Sequence, residues 1–143
     1  MIRKSLLVTG LVIVSAVSFA AQPSRRSPAL PANLSKYIDE YPVKLMKVPA
    51  VKARLKTLLG KRYGDFDISI AVQSPMTKVG DFLLASGCMP HVCTINEAAF
   101  AIDLVNKRLH AVIYEKENPP LYFNEDKKPT PQVLKDWVSG HEQ

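Results

Sequence analysis

The chain has 143 residues, a formal charge of +6 and only two cysteines. That length is one ordinary domain, long enough to bury a core without relying on staples. The basic residues gather in Lys44/Lys47, Lys52/Arg54/Lys56 and Lys61/Arg62 with no aromatic-interleaved basic motif, so nucleic acid is not an expected partner. They read as a solvated helix face, with weak attraction to anionic lipid or cell-wall polymer as the remaining use.

At the N-terminus, Arg3 and Lys4 precede an apolar run from Leu6 to Val17, and Ser18-Phe19-Ala20 offers small residues for cleavage. The run is short for a membrane span, which needs about 20 apolar residues. Residues 1–20 are therefore expected to be a secretory leader, with a retained anchor as the alternative. The mature product, of charge about +4, is expected to be periplasmic or secreted, with no integral membrane span. Residues 21–33 have the proline-punctuated composition of a flexible arm. Residues 34–143 follow as a single domain.

Within that domain Ser35 to Tyr41 suggests a short helix stopped before Pro42. A stronger helix is predicted from Pro49 to Leu59. Pro49 suits the first turn, Val51, Leu55, Leu58 and Leu59 form one stripe, and Gly60 suits the residue after the end. Phe66, Ile68, Ile70 and Val72 alternate with Asp67 and Ser69, which predicts a half-buried strand. A second strand is expected over Val79 to Ser86. Ala98, Phe100, Ile102 and Leu104 alternate again, Asn106-Lys107 marks a tight turn, and Leu109 to Glu115 returns as a partner. Leu121-Tyr122-Phe123 adds an edge strand after Asn118-Pro119-Pro120. A last helix is expected from Pro131 to Val138, with Thr130 as its N-cap and Trp137 as a core anchor. The fold class is thus α+β: a meander of three or four antiparallel strands with helices packed on it.

The two cysteines bracket Cys88-Met89-Pro90-His91-Val92-Cys93, which connects two of these strands. In an oxidising compartment they allow one intramolecular disulfide, Cys88–Cys93. Such a bridge shapes the loop locally more than it stabilises the domain, since the closed ring is worth about 2 kcal/mol. Pro90 and the tight ring oppose a metal site, His110 and His141 have no ligand spacing, and the redox dithiol spacing is Cys-x-x-Cys. No metal or cofactor is therefore expected. No nucleophile elbow, phosphate loop or metal-ligand helix is present. Asp65, Asp67, Asp39 and Glu40 read as turn and solvent residues rather than an acid/base pair. The chain is expected not to be an enzyme, the competing reading being a small periplasmic enzyme with His91 as base. A proline-stiffened, bridged loop presents His91 with little entropy left to lose on binding.

This segment resembles the protruding loop of the Ivy family, inhibitors of vertebrate (C-type) lysozyme, whose pattern is Cys-Lys-Pro-His-Asp-Cys. Cys88, Pro90, His91 and Cys93 match it, whereas Met89 replaces the lysine and Val92 the aspartate. The likeness is specific from Val79 to Asn118 and schematic elsewhere. It implies an Ivy-like α+β domain that inserts the loop bearing His91 into the lysozyme cleft, with Cys88, Met89, Pro90, His91, Val92 and Cys93 as the inhibitory segment. It also implies C-type lysozyme as the partner, with pairing of two copies through an open sheet edge as the expected route to a homodimer. The two departures predict a weaker or differently targeted inhibitor. An envelope binding module for another protein or a cell-wall glycan is the alternative use of the same scaffold.

Overall fold

Helix α2 (Pro49–Leu59) forms as its sequence predicts, with Pro49 in the first turn and Gly60 following at φ 53°. Val51, Leu55 and Leu59 are buried on its inner side. The computed structural model describes residues 27–141, so the leader at 1–20 and the arm up to residue 26 lie outside the described residues. Before α2, Ser35–Tyr37 makes only a single 3-10 turn, because Asp39 turns the chain at φ 64°. Helix α1 (Pro42–Met46) then starts at Pro42 instead of being stopped there. A first-turn proline loses nothing by lacking an N–H, and Tyr41 before it is extended.

The strand expected over residues 66–72 is a helix. Helix α3 (Tyr63–Ser69) buries Phe66 and Ser69, and Ile70 just beyond it, at i, i+3 and i+4, while Ile68 is 50% exposed. Phe66 and Ile70 satisfy a period of two and a helical spacing at once, so alternation over this short run could not separate them. Only β1 (Val72–Gln73) is extended. Asp65 and Asp67 consequently lie on α3, not at a strand start.

The strand expected over 79–86 is split. Strands β2 (Thr77–Val79) and β3 (Phe82–Cys88) join through Gly80-Asp81, with Val79 opposite Phe82 and Gly80 at φ 56°. Glycine with positive φ at the first central position is the two-residue hairpin arrangement whose twist suits the flanking strands. Then come β4 (Asn96–Asp103), β5 (Leu109–Glu115) and β6 (Leu121–Asn124). The result is a six-stranded antiparallel sheet of order β1-β3-β4-β5-β6, with β2 also on β3. The α+β class holds, with more and shorter strands than expected.

Strands β4 and β5 are covered on both faces, which is why Ala98 to Ile102 read as an unbroken apolar run. On one face Phe100, Ile102, Leu83 and Ile113 pack with Leu45, Leu55, Phe66 and Ile70 of the helical layer. On the other, Ala99, Ala101, Val112 and Tyr114 receive Val133, Leu134 and Val138 of helix α4 (Gln132–Ser139). Pro131 flanks α4 without a side-chain cap, and the Thr130 hydroxyl instead accepts a hydrogen bond from Asn124 Nδ2 at 3.0 Å. Trp137 is half-buried at the rim of that second core, not an anchor inside it.

Arg54 departs from the expected solvated face of α2. It is 5% exposed and forms a bidentate ion pair with Glu125, just past β6, and also donates to the Lys107 carbonyl at 2.9 Å. Its partner lies 71 residues away in sequence, so no local pattern could announce it.

Candidate functional site: the disulfide-closed loop

The loop sits at the end of the sheet, where β3 and β4 cease to pair. Their last register pair is Cys88 opposite Glu97. Gly87, one residue earlier, is required by the crossing of the α3–β1 connection. A Cβ there would lie 2.6 Å from the Val72 carbonyl and 2.8 Å from that of Ile70. The chain therefore enters the loop with its backbone clamped on both sides.

Cys88 and Cys93 are joined as a disulfide across a Cα separation of 4.9 Å. Inside the ring, the Val92 N–H donates to the Met89 carbonyl at 3.2 Å, closing a turn with Pro90 and His91 at its centre. His91 has φ 68°. Proline followed by a residue with positive φ is the signature of a type II turn, and histidine is among the residues that tolerate this region. The sequence motif Pro-His thus encodes a particular backbone as well as a side chain. Below the turn, the Met89 N–H donates to the Asn96 carbonyl at 2.8 Å, and the Ile95 and Asn96 amides both donate to the Val92 carbonyl at 3.1 Å. The Lys116 amide, on the β5–β6 connection, donates to the Ile95 carbonyl at 2.8 Å. The loop is therefore an ordered, hydrogen-bonded body.

The side chains divide into inner and outer sets. Pro90 and His91 are exposed, and so are Cys93, Thr94 and Ile95. Met89 and Val92 are half-buried, and the Asn96 side-chain amide lies 3.7 Å from Met89 Sδ. Met89 thus turns toward the loop base, where apolar packing suits it. From Cys88 to Asn96 the chain contains no charged side chain apart from what His91 carries when protonated.

One group that sequence reasoning missed holds the loop from beneath. Glu97 is 7% exposed; its Oε1 accepts the Thr94 N–H at 2.8 Å, and its Oε2 lies 2.7 Å from His141 Nε2. A lone glutamate in the strand Asn96–Asp103 carries no sequence signal for this role. Its partner His141 lies 44 positions further on, past the last helix.

The remaining features are elsewhere. A groove of about 700 Å³ is lined by Ser27, Pro28, Ala53, Arg54, Thr57, Leu58, Asn124 and Glu125, away from the loop. Its charged residues are paired with one another. His110 is buried with Nδ1 2.8 Å from Asn124 Oδ1. Among the described residues no three histidine, cysteine, aspartate or glutamate side chains converge as metal ligands. Among them too, no helix is long and apolar enough to cross a membrane.

The loop is thus a bridged turn with an exposed histidine, set between adjacent antiparallel strands. The model of the family "Inhibitor of vertebrate lysozyme (Ivy)" matches residues 50–143, well over half of the chain. The chain belongs to the Ivy family. No curated protein and no solved structure gives a significant match. The family is described as one of inhibitors of vertebrate lysozyme, which suggests an inhibitory and not a catalytic role. The matched region begins within α2 and includes the whole sheet, the loop and α4. In this Ivy-family chain the Cys88–Cys93 loop joins β3 to β4, and Glu97 at its base meets His141 just past α4.

Proposed function

We propose that the mature protein inhibits a C-type lysozyme by placing the Cys88–Cys93 loop in the enzyme's substrate cleft, with His91 as the principal contact. The observation that carries this reading is the conformation of His91: exposed, at φ 68°, in a turn closed by a disulfide and backbone hydrogen bonds. Little entropy is left to lose when such a side chain is immobilised. A lysozyme cleft offers two carboxyl groups, one held protonated and one ionised. An imidazole between them donates to one or both, and gains a charge-assisted contribution when protonated. The loop then occupies the path of the sugar chain, and no chemistry is required of the inhibitor.

Inhibition of this kind calls for the compartment that the leader sequence indicates, periplasmic or secreted, where the bridge persists. The domain at 34–143 is the functional unit. Met89 and Val92 contribute packing at the loop base in place of charges at its rim, so affinity rests more heavily on His91 and on shape. That same absence of rim charge supports a second reading, a binding module for another envelope protein.

Titration of lysozymes from several sources with the purified mature protein tests the proposal. Inhibition is expected at micromolar concentration or below, and His91→Ala should weaken it by about 2 kcal/mol, roughly 30-fold. Alanine is itself disfavoured at positive φ, so His91→Asn, which tolerates that backbone, serves as the control. Full inhibition by His91→Asn would show that the imidazole is not the contact. No inhibition of any lysozyme, with retention of a different envelope protein, would favour the second reading.

A further inference from the structure

Among the described residues Glu97 is the one buried carboxylate that touches the loop, and inhibition by insertion assigns it nothing. It stands on β4 directly opposite Cys88, and its side chain faces the α4 side of the sheet with Ala99 and Ala101. One oxygen accepts the amide of Thr94, a residue held at φ 74° immediately after the disulfide. The other meets His141 Nε2, just past the end of α4. His141 is fixed in turn, with Nδ1 2.6 Å from the Trp137 carbonyl and its ring tilted against the indole, centroids 4.5 Å apart. The neighbouring amides of Ile95 and Asn96 instead donate to the Val92 carbonyl, both at 3.1 Å.

We propose that Glu97 is a positioning residue for the inhibitory loop. Its carboxylate caps the Thr94 amide and so fixes the left-handed turn from which Cys93 returns to β4. His141, anchored on α4, holds the carboxylate in the orientation that reaches Thr94. The loop is thereby braced against the far helix as well as against its own disulfide. The consequence for inhibition rests on the loop being the inhibitory surface, whereas the bracing itself does not.

Two substitutions separate reach from charge. Glu97→Gln keeps the length and an acceptor oxygen for Thr94, and its amide can donate to the His141 ring. Glu97→Asp keeps the charge but is one methylene too short to span both partners. Amide hydrogen exchange in the free protein, read at Thr94, is the direct measurement, and inhibition of lysozyme is the second. Glu97→Asp and Glu97→Ala should speed Thr94 exchange by about tenfold or more, the expected effect of losing a hydrogen bond to a charged group. Both should weaken inhibition by about the same factor, while Glu97→Gln stays within about threefold of the wild type in each assay. Unchanged Thr94 exchange in Glu97→Asp would overturn the proposal, as would a Glu97→Gln loop as mobile as that of Glu97→Asp. Should Glu97→Ala fail to fold, the Gln and Asp comparison still decides. If the wild type inhibits no lysozyme, the functional reading fails while the exchange data continue to test the brace.

Discussion

Replacing both cysteines by serine opens the ring without altering any charge, and its cost follows from ring size. The bridged residues are separated by 5 positions. Chain entropy for so small a closed loop gives about 2 kcal/mol of stabilisation, against about 5–15 kcal/mol for a typical domain. The double variant should therefore remain folded at 25 °C, with a Tm lower by roughly 5–10 °C. Its loop should suffer more. Four residues, Met89 to Val92, lose their covalent closure, and re-fixing each backbone costs about 1 kcal/mol or more. The internal turn bond of Val92 to Met89 and the base bond of Met89 to Asn96 persist, each worth about 1 kcal/mol net. The balance is a penalty of about 2 kcal/mol on association, or roughly 30-fold in the inhibition constant. Inhibition titrations beside thermal melts check both figures, with reduced wild type as a second form of the open loop. An open-loop variant that inhibits as strongly as the bridged protein would refute the reasoning, because pre-organisation would then contribute nothing.

The β4–β5 turn supplies a pH prediction. Burial pushes the Asp103 carboxyl up, but hydrogen bonds from the Asn106 side chain and from the Asn106 and Val105 amides outweigh it and hold it below the usual carboxylate value. A lowered folded-state value means stability that is present above the unfolded value of about 3.9 and is lost as pH falls through the folded one. Denaturant unfolding of Asp103→Asn should therefore show a deficit against wild type at pH 7 that shrinks below about pH 4. Arg54→Ala strands Glu125 in a site where that side chain is 10% exposed, and should cost about 3–5 kcal/mol in equilibrium unfolding. Arg54→Met with Glu125→Gln should recover most of that loss, because the buried charge goes with its partner.

What was legible in the sequence was what local patterns encode. Pro49 and Gly60 delimit α2, and strand Leu109–Glu115 has the bounds that its apolar pattern predicts. The disulfide ring followed from a count of cysteines and a compartment. Residues 66–72 misled because Phe66 and Ile70 fit two periods, and the helix prevailed through its packing on β3 to β5. The Gly80-Asp81 turn lies inside a run that otherwise reads as one strand. At the site, the Pro90-His91 pair was legible as a stiff display, but its turn type emerged only with the backbone angles. Arg54 with Glu125, and Glu97 with Thr94 and His141, were out of reach, since a hydrogen bond between distant segments leaves no periodicity.

Competition for the lysozyme cleft tests the central claim most directly. A chitin oligosaccharide bound in that cleft can be displaced and followed by fluorescence while the mature protein is titrated in. Mutually exclusive binding is predicted, with His91→Ala needing roughly 30-fold more protein for the same displacement. A ternary complex, with the oligosaccharide retained while the protein binds, would contradict insertion of the Cys88–Cys93 loop.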